Sequence, residues 1–300
     1  MLSGALCRFT TGDGLELEGF FAAPATGVAE TTLVHVHGLA GNFYENPFVE
    51  AVGEAVTARG CNFLACNNRG HDYLADLLCR DPQSGRFSYR PGGAAHELLA
   101  DAVLDLEAAL AFVRSLGSRR VVLQGHSHGA IKAAYYLTQS RPAEVVGLSL
   151  LSPSDDLGLQ RWKLEDGFER ALAEARELVD AGRAGQLLSP GYFDGPISAA
   201  TYLDAFGEGS ALGMFNMSRT DRQDFPELRA VRVPVLLVLG TVQEAFLGEP
   251  AAYAAAIQAE LTGAPSCTVR LLTGARHNYL GFEPQLATAI ADWLPTCLES

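Results

Sequence analysis

Val121-Val122-Leu123-Gln124-Gly125-His126-Ser127-His128-Gly129-Ala130-Ile131 is the stretch that decides the fold of this chain. An apolar run fit for a buried strand ends in Gly-x-Ser-x-Gly, and an apolar helix from Ala130 to Leu137 begins at once. A serine on a strained strand-to-helix turn needs neighbours without a Cβ. Backbone and adjacent strand can then approach, and the hydroxyl projects above the sheet. The same turn aims the amide of His128 and the start of a helix at the place where negative charge develops on a reacting carbonyl oxygen. The bland alternative is a tight turn with an idle serine.

On either side of this turn the chain alternates strands and helices. Upstream, Phe9, Leu15, Leu17, Gly19 and Phe21 interleave with polar residues around Gly12-Asp13-Gly14, which reads as an antiparallel hairpin. A buried run, Leu33-Val34-His35-Val36-His37-Gly38, precedes a helix from Asn46 to Arg59 with Phe48, Val49, Val52 and Val56 on one face. The unit repeats with Asn62 to Cys66, a loop, and a helix whose Leu99, Val103, Leu106, Leu110 and Val113 share a face. Downstream, strands are predicted from Glu144 to Leu151, from Val233 to Gly240 and from Thr268 to Leu272, with a closing helix from Pro284 to Trp293. Such alternation predicts an α/β fold: a mainly parallel sheet with helices on both faces. It stops between Ser154 and Arg232, where the chain is charged and irregular apart from a helix at Phe168 to Val179. Excursions of this length are usually lids or binding inserts. The expected division is therefore a core of residues 1–153 and 233–300 with an inserted cap at 154–232.

Composition narrows the function classes. In 300 residues, 48% are apolar and 19% charged, a globular balance that excludes disorder, collagen and coiled coil. The 22 basic and 35 acidic residues leave a net charge of −13, which repels phosphates and acidic membrane surfaces, so neither nucleic acid nor membrane is an expected partner. Six scattered cysteines form no Cys-x-x-Cys pair and read as reduced thiols. The start Met1-Leu2-Ser3-Gly4-Ala5-Leu6 has no basic, apolar leader pattern, and a soluble, cytoplasmic protein is expected.

A serine hydroxyl is a weak nucleophile at neutral pH and needs an adjacent base. Of seven histidines, His277 lies just after the last predicted strand, in a loop that can return over Ser127. His35 and His37 belong to a strand and its end. They point the same way, but no nearby Cys, Asp or Glu completes a ligand set, so no metal is expected. His126 and His128 are bound to the turn itself, and His71 and His96 read as solvated surface. No Gly-x-Gly-x-x-Gly or phosphate loop supports nucleotide binding.

This arrangement resembles the α/β-hydrolase family over nearly the whole chain. His37-Gly38-Leu39-Ala40-Gly41 is similar to the family's oxyanion loop, which implies that the Leu39 amide is the second oxyanion donor beside that of His128. Asn68-Arg69-Gly70-His71 resembles the family's structural Arg-Gly turn. The family's order of serine, acid and histidine implies an acid after the penultimate strand. There Gln243 stands where relatives commonly carry aspartate. Glu244, one residue later and one methylene longer, is the expected acid; Asp155 and Asp156 after the earlier strand are alternatives, as is a dyad with no acid. Of the aromatics Trp162, Phe168, Tyr192, Phe193, Tyr202, Phe206 and Phe215, most are expected to pack the cap and a few to line a pocket. The resemblance implies a serine hydrolase, with a carboxylesterase acting on a small or medium ester through an acyl-enzyme as first expectation and no cofactor required. An acyltransferase or lyase on the same site, or a binding protein with a vestigial triad, are the alternatives. Oligomeric state is not read from the sequence.

Overall fold

A computed structural model describes residues 1–217, 225–242 and 244–298. Its strands are β1 (Ala5–Thr10), β2 (Glu16–Ala22), β3 (Thr31–Val36), β4 (Asn62–Cys66), β5 (Ala75–Arg80), β6 (Phe87–Gly92), β7 (Arg120–His126), β8 (Val145–Leu151), β9 (Val235–Gly240) and β10 (Cys267–Leu272). Eight of them form one sheet in the order β1-β2-β4-β3-β7-β8-β9-β10. The first two pairings are antiparallel and the rest parallel. The chain runs outward from β3 to β4, then returns across β3 to start β7 and proceeds the other way. Strand order thus reverses between β3 and β7, and in open α/β sheets ligands bind beyond the carboxyl ends of the strands at such a point.

Burial on both faces explains the continuous apolar runs of the central strands: all six residues of β3 and of β9 are buried. Alternate side chains serve opposite layers. Leu33, Leu236 and Val238 pack under α1 (Pro47–Ala58) and α9 (Glu283–Leu298), against Phe48, Val52, Ile290 and Trp293. Val34, Leu237 and Leu239 face the other layer, with α2 (Ala102–Ser115) and α3 (His128–Gln139). Pro47 opens α1, where its fixed φ suits the first turn and its missing N–H costs nothing.

Between β8 and β9 the excursion is helical: α4 (Asp156–Leu164), α5 (Gly167–Asp180), α6 (Ala199–Phe206), a single-turn segment Ala211–Phe215 and the short α7 (Pro226–Arg229). Only α5 was expected there. Helix α4 mixes Leu157 and Leu159 with Arg161 and Lys163, and it depends on the buried Asp155 carboxylate, which accepts the Gly158 amide at 2.9 Å. Trp162 in this helix is exposed, whereas Phe168, Tyr202, Phe206 and Phe215 are buried as expected. A further helix, α8 (Pro250–Glu260), precedes β10. Its Tyr253 hydroxyl donates to the Phe215 carbonyl at 2.8 Å, tying it to the excursion.

The predicted loop after β4 contains a two-stranded antiparallel sheet of β5 and β6. Its side chains are mostly exposed, so the apolar alternation that reveals a half-buried strand is weak. The closing helix runs past Trp293 to Leu298.

Candidate active site

Ser127 lies at the end of β7 and immediately before α3, at φ 57° and ψ −126°. Non-glycine residues rarely adopt such a conformation, which costs roughly 1–3 kcal/mol and is held here by its surroundings. Its amide donates to the Leu151 carbonyl of β8 at 2.9 Å. Both flanking glycines are required. A Cβ at Gly125 would stand 2.2 Å from the Gly129 carbonyl oxygen, and one at Gly129 would stand 2.3 Å from that of Val36.

The loop after β3 lies directly against the serine, since a Cβ on Gly38 would meet the Ser127 Cβ at 3.0 Å and its Oγ at 3.5 Å. Buried His37 holds this loop. Its Nε2 accepts the Asn68 amide at 3.1 Å, so the proton is on Nδ1, which donates to the Gly38 carbonyl at 2.8 Å. Burial, reinforced by the charge of Lys132, depresses its pKa well below the ordinary value and keeps the ring neutral. His35, also buried, accepts from the Gln124 side chain at 2.9 Å; its pKa is pushed down to about 3 by burial. Among the described residues, neither the Leu39 nor the His128 amide donates to a turn or loop carbonyl.

His277 arrives on the loop after β10 and is tied to His126, the residue before the serine. The His126 Nε2 donates to the His277 carbonyl at 3.0 Å, and the two rings lie 4.8 Å apart. Burial lowers the His277 pKa below its ordinary value, opposed by the fields of Asp156 and then Glu244. Among the described residues no hydrogen bond joins the His277 ring to Ser127 Oγ or to a carboxylate, a looseness common in enzymes without bound substrate.

The candidate acids take different partners. Glu244 accepts the backbone amide of His277 at 3.0 Å and the Arg276 guanidinium at 2.7 Å, so it grips the His277 loop and leaves the ring unbonded. Asp156 accepts His128 Nδ1–H at 2.8 Å. Burial works to raise its carboxyl, but the His128 hydrogen bond and the nearby histidine charges outweigh this and hold it below the ordinary range. Asp155 caps α4 through the Gly158 amide. Gln243 lies outside the described residues.

A cavity of about 160 Å³ opens where Leu39 and His128 meet the helical excursion, with Phe193, Ile197, Phe206 and Leu212 among its walls. A half-buried serine on a strained turn, a histidine loop tied to the residue before that serine, and a largely apolar cavity that reaches His128 are the parts that attack on a carbonyl requires.

Residues 33–292 match the family model described as "Alpha/beta hydrolase family". The chain belongs to that family. Among solved structures, this alpha/beta hydrolase is similar to Est1E from Butyrivibrio proteoclasticus with bound ferulic acid, at 17% identity over 98% of this chain and 100% of the other, with a TM-score of 0.66. It is similar to the siderophore hydrolase EstB from Aspergillus fumigatus, at 15% identity over 100% and 99%, TM-score 0.71. It also resembles a monoglyceride lipase variant from Saccharomyces cerevisiae, at 13% identity over 99% and 96%, TM-score 0.65. At such identities the likeness is one of fold. A search of curated proteins finds no match.

Sequence reading of this alpha/beta hydrolase passed over a charged network behind the site. Lys132, buried in α3, donates to Glu97 Oε2 at 2.6 Å and to Asn68 Oδ1 at 2.8 Å, and Glu97 Oε1 stands 3.6 Å from His128 Nε2. A signal was present, since Lys132 is the one lysine, arginine or acid in the otherwise apolar and polar stretch from His128 to Gln139. His71 and His96 are half-buried rather than solvated: His71 Nδ1 bonds Asp72 at 2.9 Å, and burial lowers the His96 pKa. Among the described residues no helix is long and apolar enough to cross a membrane.

Proposed function

We propose that this protein is a serine carboxylesterase that cleaves a small or medium ester through an acyl-enzyme. The observation that carries this reading is Ser127, held at φ 57° beside Gly38, where there is little room for a Cβ, and with the His277 loop tied to the neighbouring His126. Ser127 attacks the ester carbonyl; His277 takes its proton and returns it to the leaving alcohol; water then repeats the cycle on the acyl-enzyme. The amides of Leu39 and His128 hold the oxyanion, where losing one donor typically costs about 3–4 kcal/mol of barrier. Glu244 is the carboxylate of the site, fixing His277 through its backbone amide. Asp156 supports a second reading of the acid, because its field on His277 is the stronger. Residues 154–232 act as the cap that shapes the ester pocket, and the reaction needs no cofactor or metal.

Pre-steady-state kinetics with a nitrophenyl ester test this. A burst of nitrophenol equal to the enzyme concentration, followed by slower turnover, is the expected result. Wild-type enzyme that releases no nitrophenol from esters of short and medium acyl chains would refute it.

A further inference from the structure

The cavity that reaches His128, at the start of α3, carries more negative charge than its own cations balance. Four of its wall residues are carboxylates: Glu97, Asp156, Asp194 and Asp204. Asp194 pairs with Lys163, Asp156 accepts a hydrogen bond from His128 Nδ1–H, and Glu97 engages Lys132 through one oxygen only. The other oxygen, Glu97 Oε1, is buried without a hydrogen bond on a side chain only 6% exposed, with His128 Nε2 beyond hydrogen-bond reach at 3.6 Å. Asp204 accepts the Leu99 amide at 2.8 Å, and among the described residues no cation lies within ion-pair distance of it. A buried carboxylate oxygen left without a donor is costly, and native proteins rarely keep one without a purpose. The remaining walls are largely apolar, so the cavity combines a greasy body with an anionic end.

We propose that this cavity receives an organic cation on an apolar stem, an alkylammonium or guanidinium group carried by the ester that Ser127 cleaves, with Asp204 and Glu97 as the residues that select it. This inference rests on the esterase reading, since it places the charged group of that reaction's substrate. The Asp204 carboxyl fits such a role: burial lifts its pKa above the ordinary range, the Leu99 amide opposes, the fields of Asp101 and Glu97 add to the rise and that of His128 opposes it, so an incoming positive charge would favour the ionised carboxylate.

Two isosteric pairs test it, one for each side of the ester bond. Acetylcholine is compared with the carbon isostere in which a tert-butyl group replaces trimethylammonium, and the nitrophenyl ester of trimethylammoniohexanoic acid with its own carbon isostere. The cationic member is expected to have a kcat/KM higher by about tenfold or more in at least one pair, and Asp204→Asn, which keeps the acceptor for the Leu99 amide, is expected to bring that ratio within about twofold of unity. Glu97→Gln serves as the second variant, with its melting curve recorded because Lys132 loses its counter-charge. Titration calorimetry with butyltrimethylammonium chloride supplies a readout independent of hydrolysis. Saturable binding weakened about tenfold by Asp204→Asn supports the cation site even where no ester is turned over, which would remove the esterase reading alone. Hydrolysis with no cation preference, or a preference untouched by both variants, together with no saturable binding of butyltrimethylammonium, overturns the cation site and leaves the esterase standing.

Discussion

Two carboxylates bias His277 without bonding its ring, and that has a measurable consequence for pH dependence. Burial lowers its pKa from the ordinary 6.5, so the ring stays an unprotonated base into mildly acidic solution, and the acidic limb of kcat/KM is expected below pH 6.5. Glu244 and Asp156 both raise that pKa. Glu244→Gln is therefore expected to move the limb further toward acid and to lower kcat/KM by about 10- to 100-fold, short of the roughly 10⁴ lost when a ring-bonded carboxylate is neutralised in a serine protease. A pH-rate profile of both proteins checks this. A loss near 10⁴ would show that the Glu244 carboxylate bonds the ring during turnover, and a limb that moves toward neutral pH in the variant would contradict the claim that Glu244 raises the His277 pKa.

At the scale of elements, the junction of β3, β7 and α3 carries the geometry, and it was legible because its demands are steric. Gly125 and Gly129 stand where a Cβ would strike backbone carbonyls, and backbone cannot step aside as a side chain can. Gly129→Ala is expected to push α3 away from β3, lowering stability by about 1–3 kcal/mol and cutting esterase activity far more than stability. Denaturant melts read beside kcat/KM check this, and a variant with wild-type activity would contradict it. The parallel strands were equally legible, because residues buried on both faces leave continuous apolar runs such as Leu236 to Leu239. Exposed or weakly patterned elements were not: β5 and β6 keep only Leu77 and Gly92 buried, and α8 is a run of alanines with little periodicity. The serine, the histidine loop and the oxyanion loop could be read from their neighbours in sequence. What could not be read is how Glu244 reaches His277, through the backbone amide and not the ring, because that contact joins two loops whose residues lie 33 positions apart.

The whole molecule stores neutral imidazoles in its core, which ties its stability to pH. His35, His37 and His126 are buried with pKa values depressed by burial, so the folded chain excludes protons that the unfolded chain binds below about pH 6.5. The stability they contribute is complete above that pH and is lost as the pH falls toward their folded-state values. With the His35 pKa pushed to about 3, its share of the loss between pH 7 and pH 5 is about 2 kcal/mol. Chemical denaturation at the two pH values should show a loss smaller by about that amount in His35→Gln than in wild type, and equal losses would contradict the assignment. The proposed catalysis rests on one covalent event, attack by Ser127. The most direct measurement is intact-protein mass spectrometry after treatment with a fluorophosphonate probe, followed by peptide mapping. A single adduct on Ser127 in the wild type and none in Ser127→Ala, with both proteins giving the same melting temperature, is the result expected; an unmodified wild type, or an adduct that persists in the folded variant, would contradict the claim that Ser127 is the nucleophile.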